Sequence, residues 1–426
     1  MTDKLIDLLN RSYTAYHAVS AAEELLISAG FKRLDETAPW RVLPGGKYYV
    51  IRDGSALIAF KISKEPFKYG FQIIASHTDS PCFKIKLNGE NSSAGYKRLS
   101  VEKYGGGLLY SWLDVPLCIA GRAVTAEGGK VRSHLVSLNE KFVIPSVAIH
   151  LNRTANDGIK LNPQVDMQVL AALGDGEKLM EKIAEKIHGT PIDFDLFVTA
   201  AAEPFKCGFD GEFICSPRVD NLTSAFASVE ALISCEEKAI PVIYLADNEE
   251  VGSRTKQGAG STFLKDVLGR INSSLGNSDE DLKVALGKSF LVSCDNAHAV
   301  HPNHPELSDP DNKITLGQGI VIKHHANQSY TTDAISSAVF KYILDRAGVK
   351  HVDFFNRSDM QSGGTLGAIS STQLSVRSAD IGIAQLAMHS YCETFAAADY
   401  AELIKGLKTF LGTALSSEGH SCVNVE

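Results

Sequence analysis

Pro241-Val242-Ile243-Tyr244-Leu245-Ala246-Asp247-Asn248-Glu249-Glu250 is the stretch that decides the fold. A short, mostly apolar run stops abruptly at polar and acidic residues, as expected of a buried parallel strand whose C-terminal end opens into a site. Three other runs repeat the pattern. Phe71-Gln72-Ile73-Ile74-Ala75 leads into Ser76-His77-Thr78-Asp79, Ser289-Phe290-Leu291-Val292-Ser293-Cys294 into Asp295, and Leu196-Phe197-Val198-Thr199-Ala200 into Glu203-Pro204. Helical spacing lies between them, over 221–237, 333–347 (ending before Gly348) and 400–415. Strand, helix, strand alternation predicts an α/β fold with a mostly parallel sheet flanked by helices. Residues 90 to 205 read differently: the runs 117–125 and 130–138, joined through Ala126-Glu127-Gly128-Gly129, are hairpin signals of an antiparallel insertion. The expected organisation is a discontinuous α/β unit, 1–88 and 206–426, interrupted by a β-rich insertion, 89–205.

The chain has 426 residues, more than the roughly 250 to 300 at which one core stops growing, so two domains or a large insertion is expected. Hydrophobic residues at 44% and charged residues at 22% exclude a disordered or collagenous chain. A net charge of −8 without a basic stripe makes nucleic acid an unexpected partner. The N-terminal segment carries charges through its apolar stretches and reads as amphipathic helix with Gly30 just past a helix end, not as a signal peptide. No run approaches the roughly 18 apolar residues of a membrane span, so no membrane partner is expected. Eight cysteines, scattered without a C-x-x-C pair, fit a reducing cytoplasm.

Hydrolysis of a peptide bond at neutral pH needs a strong nucleophile and positive charge near the developing oxyanion, and two divalent cations supply both. Two metals sharing one carboxylate need five protein ligands. The strand ends offer His77, Asp220, Glu250, Asp295 and His389, with Glu249 and Asp79 beside them. Residues two apart on an extended strand face the same side, so Asp79 can orient the His77 ring, although H-x-D alone is also an ordinary turn. Like charges at Glu249-Glu250 repel at a buried strand end unless a cation compensates them; one can ligate while the other stays free as general base and then acid. The bland reading is a solvated pair such as Glu236-Glu237. Asp220, just before a helical pattern, is by itself most often an N-cap. His298, His301 and His304 are site-lining rather than ligands, since Pro302 and Pro305 disfavour a helical ligand comb. The 362–367 stretch, Ser-Gly-Gly-Thr-Leu-Gly, lacks a P-loop lysine and suits close backbone approach to a substrate or an ordinary helix start. There is no G-x-S-x-G elbow or evident cysteine dyad, which disfavours covalent catalysis.

Four strings in order, Ser76-His77-Thr78-Asp79-Ser80-Pro81, Asp247-Asn248-Glu249-Glu250-Val251-Gly252-Ser253, Asp295-Asn296-Ala297-His298-Ala299-Val300-His301-Pro302-Asn303 and Gln385-Leu386-Ala387-Met388-His389-Ser390, resemble the aspartyl aminopeptidase, or aminopeptidase I, family of two-zinc metallopeptidases. The resemblance spans nearly the whole chain. It implies a zinc exopeptidase fold, with His77 and Asp295 on one zinc, Glu250 and His389 on the other, Asp220 bridging, Glu249 as base and Asp79 orienting. Cobalt or manganese is a possible replacement for zinc. It further implies a homo-oligomer, a dodecamer held through the insertion, in which His150 of Ala148-Ile149-His150-Leu151-Asn152-Arg153 serves a neighbouring subunit's site. Lys323 and Tyr330 match contacts to an acidic substrate side chain, while a lysine at the solvent edge of a strand is the plain alternative. The chain departs from the family's R-N-D-x-P-C-G at Arg357-Ser358-Asp359-Met360-Gln361-Ser362-Gly363; Asp359 survives the match.

The function expected is removal of an N-terminal residue, preferring Asp or Glu, from peptides. A neutral-residue aminopeptidase and a related zinc carboxypeptidase or amidohydrolase use the same ligand logic. A non-catalytic assembly or cargo protein is the alternative from another class, and a retained Glu249 beside Glu250 argues against it.

Overall fold

The computed structural model describes residues 2–66, 68–174, 176–418 and 422–426. Among them, thirteen strands form one sheet, whose centre is the parallel set Ile240–Ala246, Phe71–His77, Phe290–Cys294 and Arg377–Leu386, in that spatial order. Strands Lys47–Arg52 and Ala56–Lys61 extend one side, and Ile320–His324 runs antiparallel to Arg377–Leu386 on the other. The central strands are buried along their length because alternate side chains enter different cores. Ile74, Ile243 and Leu245 pack with helices Val219–Ser234 and Ala397–Gly412 on one face. Ile73, Ala75, Val242 and Tyr244 pack with Phe263–Ser274 on the other. All four central strands point their C-terminal ends the same way. His77, the turn after Ala246, Asp295 and the turn after Leu386 therefore gather at one edge.

The expected helices appear as Val219–Ser234, Ala334–Ala347 and Ala397–Gly412. Asp333 caps the second, accepting from the Ser336 amide, and Gly348 closes it in the left-handed region, with φ 60°. Near the N-terminus, Ala15–Ser28 ends where Gly30 takes φ 82°.

The second sheet is antiparallel, in the order Lys130–Ser137, Leu117–Glu127, Pro191–Ala200, Cys82–Ser93, Tyr96–Tyr104, Val169–Leu173. The hairpin read at 117–138 is there, with Gly128 and Gly129 both at positive φ in its turn. The sheet opens at Cys82, ahead of the boundary expected at 89. The reading of 196–200 as a parallel strand is corrected: Pro191–Ala200 lies antiparallel between Leu117–Glu127 and Cys82–Ser93. It resembles a doubly buried strand because Leu196 and Val198 enter the second sheet's core, while Phe197 and Thr199 face a cavity of about 250 Å³ between that sheet and the N-terminal helices.

Candidate metal centre

Three interlocking groups of side chains lie at the edge where the parallel strands end: His77, Asp220 and Asp295; His77, Glu249 and Glu250; Asp220, Glu250 and His389. In each, one potential ligand atom per residue lies within 4.8 Å of the others. Asp220 joins the first group to the third. Its carboxylate puts Oδ1 3.6 Å from His77 Nε2 and Oδ2 3.0 Å from His389 Nε2. Asp295 Oδ1 lies 3.7 Å and Glu249 Oε2 4.0 Å from His77 Nε2, and Glu250 Oε1 lies 3.3 Å from His389 Nε2.

Each side chain is aimed by its local backbone. His77 is the last residue of its strand, and its Nδ1 donates to the Asp79 carbonyl at 3.0 Å, which leaves Nε2 facing the carboxylates. Glu249–Val251 is a short 3-10 turn closed by Gly252, whose φ of 95° suits a residue without a side chain. Asp79 fastens that turn: Oδ1 accepts from the Glu249 amide and Oδ2 from the Glu250 amide, each at 3.1 Å. Asp220 does not serve as an N-cap. Its backbone is non-helical, with φ −80° and ψ 108°, at a kink near the start of Val219–Ser234, its amide donates to Glu393 Oε2 at 3.0 Å and its carboxylate is turned to the two histidines.

The electrostatics are those of a cluster that needs a cation. Burial, then the nearby Asp295 and Glu250 charges, push Glu249 well above the usual carboxylate range, against the opposing pull of His77. Burial pushes Glu250 up to about 7, with His389 opposing and Asp220 adding to the rise. Burial acts against charge on His389, yet the adjoining Asp220 and Glu250 carboxylates outweigh it and raise the imidazole to about 11. Asp220 Oδ1 and Glu250 Oε1 are buried without a hydrogen-bond partner. Orphaned buried carboxylate oxygens beside two imidazoles fit a divalent metal of the zinc type.

Of the other residues read from the sequence, Lys323 is 2% exposed, with Nζ 3.9 Å from Asp295 Oδ2, 3.3 Å from the Asn296 carbonyl and 5.1 Å from the centre of the Tyr330 ring. The solvent-edge reading of this lysine is thus set aside. His298 is exposed on the wall of a second cavity that Arg357 and Met360 also line. His301 lines it too, whereas His304 pairs with Glu306. Asp359 is exposed and held by Arg357, whose Nε and Nη2 donate to its carboxylate at 2.8 and 2.7 Å. His150 is exposed in a turn of the second unit, outside the cluster.

Two site residues escaped the sequence reading. Glu393, buried, accepts from the amides of both Asp220 and His389, the latter at 2.7 Å, and so holds two candidate ligands by their backbones. Tyr104, from the second sheet, donates its hydroxyl to Asp79 Oδ2 at 2.7 Å and accepts from Asn248 Nδ2 at 2.8 Å.

The whole arrangement meets its relatives in comparison. A family model described as aminopeptidase I zinc metalloprotease (M18) matches residues 8–411. The chain belongs to the M18 family of zinc aminopeptidases. This M18 chain is 43% identical over 96% of its length to a probable M18 family aminopeptidase 2 of Clostridium novyi, covering 98% of that protein. It is 38% identical to the counterpart in Stutzerimonas stutzeri, over 96% of this chain and 97% of that one. Among solved structures it resembles prApe1 at 29% identity with a TM-score of 0.91, over 96% of this chain and 93% of that one. It also resembles the S. cerevesiae mApe1 dodecamer at 28% identity and 0.84, over 96% and 95%. The enzyme is thus a metallo-exopeptidase of mixed α/β fold, and among its described residues no helix is long and apolar enough to cross a membrane.

Proposed function

We propose that this M18 aminopeptidase removes N-terminal aspartyl or glutamyl residues from peptides at a centre for two zinc ions. The observation that carries the reading is Asp220, a buried carboxylate shared by two ligand groups, with its Oδ1 otherwise unpaired. His77 and Asp295 would hold one ion, Glu250 and His389 the other, and Asp220 both. Bound zinc supplies Lewis-acid charge and acidifies water at neutral pH. Glu249, 4.0 Å from His77 Nε2 and in a group with His77 and Glu250, is left free in this assignment, takes a proton from the attacking water and returns it to the departing amine nitrogen. Asp79 holds the Glu249–Glu250 turn and His77 in register.

The acidic preference rests on Lys323, a buried cation beside Tyr330 at the margin of the cluster. A buried lysine with a free donor favours a carboxylate over an apolar side chain. His298, Tyr330 and Asp359 are assigned to the substrate-facing wall. A preference for neutral residues is the competing reading, because Lys323 already has Asp295 at 3.9 Å. We assign residues 1–88 and 206–426 to the catalytic unit and 89–205 to the insertion, and place the enzyme in the cytoplasm as a homo-dodecamer. Val147, Ile149 and Leu151, flanking His150, are 61%, 46% and 83% exposed, which favours their cover by another copy of the chain and a role for His150 in that copy's site.

A panel of aminoacyl chromogenic substrates, assayed with and without chelator, tests the reading. Aspartyl and glutamyl substrates should be cleaved fastest, chelator should abolish turnover, and zinc should restore it. Faster cleavage of leucyl substrates would reject the acidic preference and leave the zinc aminopeptidase intact.

A further inference from the structure

Cys207 and Cys215 lie outside the cluster, on the two strands of the hairpin Phe205–Cys207 and Phe213–Ser216. The register sets Cys207 opposite Phe213 and Cys215 opposite Phe205, so both cysteines share one face of the hairpin, offset diagonally. Their sulfurs are 2.9 Å apart, closer than the roughly 3.5 to 4.0 Å at which non-bonded heavy atoms normally settle. Both thiols are half-buried, whereas Cys118, Cys235 and Cys294 are enclosed. A small reagent therefore has access to this pair.

We propose that Cys207 and Cys215 form a modification site, a dithiol that closes reversibly to a disulfide by exchange with a low-molecular-weight disulfide such as glutathione disulfide. One cysteine thiolate attacks a sulfur of the small disulfide, whose S–S bond breaks, expelling one thiolate and leaving a mixed disulfide on the protein. The second cysteine then attacks the protein-bound sulfur and expels the other small thiolate. Two protein thiols are oxidised, one disulfide is reduced to two thiols, and the two protons leave on those thiols. Burial, and then the adjoining Cys215 thiol, push the Cys207 thiol up to about 11, so its thiolate is scarce near neutrality and closure quickens as pH rises. The new bond would lie close to the metal centre without using a ligand: Ser216 pairs with Glu393, and the same chain continues to Asp220.

The sequence makes the test direct. Cys207 follows Lys206 and the next basic residue is Arg218, so one tryptic peptide, 207–218, holds both cysteines. The full-length, zinc-loaded protein is reduced, desalted, incubated with glutathione disulfide, alkylated without further reduction and digested for mass spectrometry. The peptide should appear lighter than its dithiol form by two hydrogens and free of alkyl groups, and should return doubly alkylated after dithiothreitol. Cys392, a third half-buried thiol beside the pair, takes no part, and Cys392→Ser should close as the wild type does. Cys207→Ser and Cys215→Ser should each retain a glutathione adduct on the remaining cysteine. A peptide that stays doubly alkylated, that accumulates only open glutathione adducts in the wild type, or that no longer closes in Cys392→Ser would overturn the proposal.

Discussion

Lys323→Met separates support of Asp295 from the proposed grip on an acidic substrate. Nζ is 3.9 Å from Asp295 Oδ2, where two unit charges attract by about 4 kcal/mol at an effective dielectric near 20, and the proposed acidic preference gives the same cation to the substrate's side-chain carboxylate. Methionine keeps the stem's volume and removes the charge. If Lys323 grips the substrate, an aspartyl side chain enters a buried pocket without its partner, a loss of about 2 to 5 kcal/mol, or roughly 30-fold to several thousand-fold in kcat/KM. A leucyl substrate has no such charge to lose. It should change only by whatever the loss of support to Asp295 costs, and that contribution cancels in the ratio of the two substrates. The assay is therefore kcat/KM for aspartyl, glutamyl and leucyl substrates on zinc-loaded wild type and variant, with metal content measured alongside. The acidic preference should vanish or invert while zinc content holds. Equal losses on all three substrates, especially with loss of zinc, would show that Lys323 serves Asp295 and not the substrate.

Glu249→Gln should lower kcat by about 100-fold or more with zinc content near wild type, the scale of a lost proton-transfer group; metal loss matching the activity loss would make Glu249 a ligand instead. His150→Ala should leave each subunit folded yet depress the activity of the assembled oligomer, and full activity in an assembly of wild-type size, checked by light scattering, would refute service to a neighbouring site. Zinc uptake by the metal-free protein should release protons near pH 7 and strengthen as pH rises, because His389, held up to about 11 when metal-free, must give up its proton to ligate; calorimetry in buffers of different ionisation heat reads this out. The raised His389 also stabilises the metal-free fold fully below its unfolded value of about 6.5, a contribution that declines above that pH and is gone beyond about 11. Thermal melts should accordingly show the metal-free protein weakening relative to the zinc form from neutral to alkaline pH.

Three of the four strands of the parallel centre were legible because each carries its own signal, an apolar run cut off by a polar turn; Arg377–Leu386, whose first four residues include arginine, serine and aspartate, was not read. The same property exposed most of the candidate site: His77, Glu249, Glu250 and Asp295 sit directly at those cut-offs, where local pattern and spatial position coincide. Asp220 was legible only in company, since its local context also describes a helix cap, and its carboxylate is turned away from that role by partners far along the chain. Glu393 and Tyr104 left no local trace. What they do is defined by bonds to Asp220 and Asp79, 173 and 25 residues away, and a lone acid after a cysteine or a tyrosine at a strand end has no distinguishing pattern. The strand Pro191–Ala200 misled for a related reason, because a run covered on both sides by two different neighbours has the same composition as one buried within a single sheet.

Tyr104 ends a strand of the second sheet, and the glycines that follow it continue into the catalytic edge. Gly106 offers its carbonyl to His389 Nδ1 at 3.4 Å, and a Cβ on Gly105 would come within 3.1 Å of the Glu250 side chain. The inserted unit therefore cannot be exchanged as a cassette. Excising it, or grafting a related insertion with a different residue at 104 or a bulkier one at 105, would disturb the turn beside Glu250 and His389 in the candidate metal centre along with the scaffold. Chimaeras between M18 enzymes should keep the span 104–106 with the unit that holds Glu250 and His389 and place their junctions beyond it.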